Sequence, residues 1–189
     1  MRVIMLAPPG AGKGTQSELI AARYGVRHIS SGDIFREELA RHTELGERLR
    51  GYVESGDLVP DDLVLSLIRD RLVAASGQTG GYVLDGFPRN LAQAEAAAEI
   101  GRETNTAAQA VVYLDAPQDV LIDRVLGRGE NRADDSEAVA RHRLEVYAKQ
   151  TKPLVAYFRE RGLIITIDAA PPVDEVSQKI FEALDQVKG

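Results

Sequence analysis

Apolar residues along the chain fall into short runs of strand length, separated by longer stretches with helical spacing. Val3–Ala7, Val26–Ile29, Gly81–Leu84, Ala110–Leu114 and Leu163–Ile167 read as five strands. Their apolar runs are continuous rather than alternating, as expected of strands covered on both faces. Helical patterns lie between and after them, at 14–24, 34–41, 61–75, 91–104, 118–128, 137–161 and 173–187. Gly25 closes the first of these and Pro60-Asp61-Asp62 opens the third, both in keeping with helix-end chemistry. Pro153 falls inside the 137–161 stretch and predicts a kink or restart there, because proline lacks the N–H and crowds the preceding turn. Strands separated by helices predict an α/β domain, a three-layer core around a five-stranded parallel sheet with right-handed crossovers. In such sheets ligands bind beyond the carboxyl ends of the strands, so the residues after each strand are where chemistry is expected. The sequence contains no repeat, low-complexity tract or linker, and 129–135 is a short polar loop.

Length and composition change this picture little. A chain of 189 residues suits one domain (1–189), and 44% hydrophobic with 28% charged residues is ordinary for a globular protein. There is no cysteine, which excludes disulfides and thiolate metal sites. No apolar run approaches the roughly 20 residues of a membrane span. The first apolar run leads directly into Pro8-Pro9-Gly10, unlike a secretory signal, so a cytoplasmic location is expected. A net charge of −6 argues against a long nucleic-acid partner. Yet Arg124, Arg128, Arg132, Arg141 and Arg143 lie within 20 residues, a local cluster that fits a small polyanion.

The first strand runs into Ala7-Pro8-Pro9-Gly10-Ala11-Gly12-Lys13-Gly14-Thr15, and a helix begins there. A bound phosphate needs several backbone N–H groups converging on it, which Cβ atoms obstruct; Gly10, Gly12 and Gly14 remove them. The helix start adds its dipole, Lys13 a point charge for β- and γ-phosphates, and Thr15 a hydroxyl near Mg²⁺ or phosphate. A phosphate-binding loop usually opens on glycine, where this chain has Ala7. If Ala7 requires positive φ, it carries roughly 1 kcal/mol or more of strain; if it ends the strand, its methyl is harmless. After the third strand stands Asp85-Gly86-Phe87-Pro88-Arg89. A carboxylate there can hold a Mg²⁺-bound water, and the turn aims an arginine fork at an anion.

Gly-Lys-Gly-Thr-Gln at 12–16 paired with Asp-Gly-Phe-Pro-Arg at 85–89 resembles the nucleoside monophosphate kinases, and the adenylate kinases among them. The likeness extends over nearly the whole chain. Ser30-Ser31-Gly32-Asp33-Ile34-Phe35-Arg36 resembles the start of that family's helical monophosphate-binding segment, and Gly56-Asp57-Leu58-Val59-Pro60 its end, giving 30–60. The resemblance implies a lid at 129–137, short and without structural zinc, with both flaps closing over the substrates. It implies a P-loop NTPase-like fold and ATP contacts from Pro9, Gly10, Ala11, Gly12, Lys13, Gly14, Thr15, Arg124, Arg128 and Pro171. For AMP it implies Ser31, Arg36, Asp57, Leu58, Val59, Gly86, Phe87, Pro88, Arg89, Gln93, Arg132 and Arg143. A glutamine amide offers a donor beside an acceptor, matching the N1 and N6-amino edge of adenine. UMP/CMP kinases are also similar, but usually carry alanine where this chain has Ser31. Arg141 and Arg143, two apart, cannot both point into one site from a helix; the resemblance selects Arg143.

The implied activity is reversible transfer of a phosphoryl group from Mg-ATP to AMP, giving two ADP, by a single monomeric chain. Lys13, Asp85, Arg89, Arg128, Arg132 and Arg143 are the expected catalytic residues. No residue is expected to ligate the metal directly, Mg²⁺ being held by phosphates and water with Asp85 and Thr15 nearby. None of the three histidines falls in a matched motif, so His28, His42 and His142 are expected to be structural or exposed. The alternatives are a UMP/CMP kinase of the same family or a nucleotide-binding module without turnover.

Overall fold

β1 (Arg2–Leu6) lies at the centre of a five-stranded sheet, with β3 (Tyr82–Asp85) on one side and β4 (Ala110–Asp115) on the other. β2 (Arg27–Ser30) borders β3 and β5 (Ile164–Asp168) borders β4, so the order is β2-β3-β1-β4-β5 and every pair is parallel. The computed structural model describes residues 1–127 and 137–187.

Alternate residues of the central strands feed two separate cores, as the pleat requires. Ile4, Leu6, Tyr82, Leu84, Val111 and Tyr113 join one core, which α4 (Asp61–Thr79), α5 (Leu91–Glu103) and α8 (Leu154–Glu160) cover. Val3, Met5, Val83, Ala110, Val112 and Leu114 join the other, beneath α1 (Lys13–Tyr24), α6 (Gln118–Leu126) and α9 (Val173–Asp185). This is the three-layer arrangement that the continuous apolar runs predict. The two edge strands depart from it. β2 contributes only Ile29 to full burial, and β5 only Ile167, because each has a neighbour on one side alone.

The largest departure is a helix that the apolar pattern does not mark, α3 (Glu44–Ser55), which follows α2 (Ser31–Ala40). Thr43 caps it, its hydroxyl accepting from the Gly46 N–H at 2.8 Å. Gly46 and Gly51 weaken the helical signal. Leu45, Leu49 and Val53 nevertheless recur every fourth residue and pack on the core, with Leu49 wholly buried. At Gly46 an added Cβ would strike the Glu38 carbonyl, so α2 and α3 cross too closely there for a side chain.

The 137–161 stretch does break. α7 (Glu137–Val146) passes into a π-helical turn (Tyr147–Thr151), and α8 starts after Pro153. In that turn the Lys152 N–H donates to the Tyr147 carbonyl at 2.9 Å, five residues back. The helix before Pro153 thus widens by one residue per turn instead of meeting the proline ring. α4 runs one turn beyond expectation to Thr79, where Gly80 takes the left-handed conformation that ends it. No helix among the described residues is long and apolar enough to cross a membrane.

Candidate active site

Register determines what meets at the carboxyl edge. Met5 of β1 pairs with Asp85 of β3, and Ser30 of β2 pairs with the same Asp85. The loops that follow these three strands therefore converge around one carboxylate.

In the loop after β1, Gly10 and Gly12 have φ of 89° and 81°, the left-handed region that favours glycine. A Cβ at Gly10 would also strike the Leu121 carbonyl of α6. α1 begins at Lys13 with no side-chain cap on its first turn, which leaves its N–H groups to a ligand. Ala7 is settled in the harmless sense. Among the described residues, positive φ outside glycine occurs only at His42 and Asn105, and the Ala7 methyl is buried in the α1-side core.

Lys13 Nζ forms an ion pair with Asp85 Oδ1. Burial alone would push the Asp85 carboxyl up, but the Lys13 ammonium and the nearby His28 ring hold it far below the usual carboxylate range. Burial pushes the Lys13 ammonium down, with Arg89 and Arg143 acting in the same sense against the pull of Asp85. The site therefore concentrates positive charge around one buried anion.

Two cavities adjoin here. One is lined by Pro9, Gly12, Lys13, Gly14, Thr15 and Asp85; the other by Phe35, Val53, Asp57, Leu58, Val59 and Gln93. Arg36, Arg89 and Arg143 line both, so three guanidinium groups stand at the seam. Each is positioned locally. Arg36 NH2 donates to Asp33 Oδ1, and Arg89 Nε to the Gly86 carbonyl at 2.8 Å. The Arg143 stem passes over Gly56, where a Cβ would lie 2.7 Å from its Cγ. Gly86, with φ of 80°, leaves room for the Ser31 hydroxyl, which a Cβ would strike.

Such a junction, a phosphate cradle opening through three arginines into a second cavity, is what joining two phosphorylated ligands requires. The protein-family model described as adenylate kinase matches residues 5–163. The chain belongs to the adenylate kinase family. Similar curated relatives carry the same name. One from Thermus thermophilus is 47% identical over 184 residues, covering 96% of each chain. Another, from Thermobifida fusca, is 44% identical over 186 residues, 97% of this chain and 98% of the relative. A third, from Streptomyces avermitilis, is 39% identical over 214 aligned positions, 97% of each. That alignment is longer than the whole 189-residue chain, so the relative carries residues that this member of the adenylate kinase family lacks.

Most of the residues singled out in the sequence lie on these cavities, with exceptions. The Phe87 side chain is fully buried in the core and lines neither cavity; it anchors the turn that carries Arg89. Ser31 is 1% exposed behind Gly86, its hydroxyl without a hydrogen-bond partner among the described residues. Ala11 is buried too. Arg124, expected with ATP, lines neither cavity, and nor does Pro171. The Arg124 guanidinium donates to the Ala169 and Ala170 carbonyls at 2.7 and 2.9 Å, which fixes the loop before Pro171. Arg128, Arg132 and nearly all of the expected lid at 129–137 lie outside the described residues.

Two histidines have more specific places than the sequence suggested. His28 lines the phosphate-side cavity with Nε2 3.7 Å from Asp85 Oδ2. The available signal was its position on β2 two residues before Ser30, on the face opposite buried Ile29. His142 Nε2 lies 2.7 Å from Asp57 Oδ1, tying α7 to the segment after α3.

Proposed function

We propose that the chain transfers the γ-phosphoryl group of Mg-ATP directly to AMP, yielding two ADP, and runs the reaction in both directions. The observation that carries this reading is the seam of Arg36, Arg89 and Arg143 between the Gly10–Thr15 cradle and the second cavity. ATP phosphates occupy the cradle, with backbone N–H groups and Lys13 as donors. AMP occupies the second cavity, its phosphate toward the arginines and its base between Val59 and Gln93. Arg128 and Arg132 are assigned to the same phosphates on the family resemblance alone.

The acceptor oxygen of AMP is already anionic, so the reaction needs no strong base. Its barrier lies in bringing two polyanions together and in charge shifting onto the transferred group. Lys13 and the arginines address both by positioning and by preorganised charge. A carboxylate at the end of β3 and the Thr15 hydroxyl are oxygen donors of the kind Mg²⁺ accepts, and the cation would screen the phosphate charge. Phosphates and water are assigned as the remaining ligands of the cation. With ATP bound, Lys13 would pair with phosphate oxygens in place of Asp85, and Asp85 would then be free to hold a water of the Mg²⁺ that accompanies the nucleotide. The 30–60 segment performs much of the closure that excludes water.

The test gives the purified chain Mg-ATP with AMP, UMP, CMP or GMP in turn and follows diphosphate formation. Turnover with AMP far above the others is expected. Turnover only with pyrimidine monophosphates, or ATP binding without turnover, would overturn this reading.

A further inference from the structure

The amide of Gln93 is held on both sides by partners that leave it one orientation. Its Oε1 accepts from the Arg89 backbone N–H at 2.8 Å, and its Nε2 donates to Asp61 Oδ1 at 2.7 Å. The backbone N–H can only donate and the carboxylate can only accept, so oxygen and nitrogen cannot exchange places. Asn90 is held in the same way. Its Oδ1 accepts from the Gln93 backbone N–H at 2.8 Å as the cap of α5, and its Nδ2 donates to the same Asp61 Oδ1 at 3.0 Å. Two side-chain amides thus converge on one carboxylate oxygen at the start of α4. Gln93 is 2% exposed and lines the cavity assigned to AMP.

The consequence is chemical. A glutamine amide that can turn over reads two purine edges equally well. With its N–H toward the ring it serves adenine, whose N1 accepts while the 6-amino group donates. Turned over, it serves a 6-oxo purine, whose N1–H donates while O6 accepts. Discrimination between them requires that the amide be unable to turn.

We propose that Asp61 is a specificity-determining positioning residue, which locks the Gln93 amide in the orientation that selects a 6-amino over a 6-oxo purine monophosphate. This rests on the reading of the second cavity as the AMP site. Asp61 acts through Gln93 and does not touch the substrate. Removing its acceptor leaves only the Arg89 N–H to orient the amide, and the turned-over form becomes accessible.

The test compares kcat/KM for AMP and for inosine monophosphate, with Mg-ATP, in the wild type, Asp61→Ala and Asp61→Asn. Asparagine keeps an acceptor oxygen, and the two converging NH₂ groups orient it toward them. The AMP preference is expected to fall by about tenfold or more in Asp61→Ala, the scale of one bidentate base contact. The loss should reside in KM for the monophosphate while KM for ATP stays put, and Asp61→Asn should recover most of the preference. An unchanged preference in folded Asp61→Ala, an equal fall in both nucleotides, or no recovery in Asp61→Asn would overturn the proposal. Should Asp61→Ala not fold, Asp61→Ser replaces it, being tolerated at a helix start yet too short to reach Gln93, with the same outcomes. Lack of AMP turnover in the wild type would instead refute the underlying assignment of the site, and be seen before any variant is made.

Discussion

Asp85 shows how much one side chain determines at this site. It is 5% exposed, it sits where three parallel strands end, and it faces Lys13 and His28. Its carboxyl is held below the range of an unfolded chain, near 3.9, so below that value the unfolded state binds protons that the folded state does not. Its contribution to stability is therefore complete above about pH 5 and is lost progressively as pH falls toward the folded value. Denaturation midpoints measured from pH 6 to pH 3 should fall more steeply for the wild type than for Asp85→Asn; parallel acid limbs would show that the Asp85 carboxyl is not held below its unfolded value. The convergence of Asp85 and Lys13 at the carboxyl edge of the sheet was legible because both stand in short motifs at or after strand ends. His28 was not, since a histidine inside a four-residue strand carries no motif and only the folded structure brings its ring 3.7 Å from Asp85. Ala7 could not be decided from sequence because its outcome is a backbone angle.

At the level of elements, the strands and most helices followed from apolar periodicity, while α3 did not. Its two glycines and many charged side chains mask a line of three apolar residues that meets the core. The helix forms because Leu49 is buried there, and tertiary packing outweighs propensity. Leu49→Ala is expected to destabilise the protein by about 2–4 kcal/mol, within the usual range for a buried leucine. Chemical denaturation reads this directly, and a loss below about 1 kcal/mol would mean that α3 is not part of the cooperative core. The contact between His142 and Asp57 joins the same segment to α7, but both side chains are roughly half exposed. Exposed pairs contribute little, so that link orients the segment more than it stabilises it. The restart as α8 was foreseen as one of two outcomes, a kink or a restart, but the π-helical turn before it was not, since Pro153 dictates a disruption and not its form.

At the scale of the molecule, strand order does the essential work. Placing β1 between β3 and β4 brings the phosphate loop beside Asp85, and the crossover through α2 and α3 folds a second cavity against the first. Sequence reasoning reached the parallel sheet and the ligand edge but not this order, which depends on contacts between segments far apart in the chain. The family resemblance supplied the second substrate; the geometry adds an arginine wall shared by the two cavities. The central claim is direct phosphoryl transfer across that wall. Incubating the chain with ATP labelled at the γ-phosphate and unlabelled AMP tests it most directly. Label should appear in the β-phosphate of ADP, none should remain on the protein, and Lys13→Ala should slow the transfer by several orders of magnitude while staying folded. Label found on the protein or released as inorganic phosphate, or unimpaired transfer in folded Lys13→Ala, would contradict it.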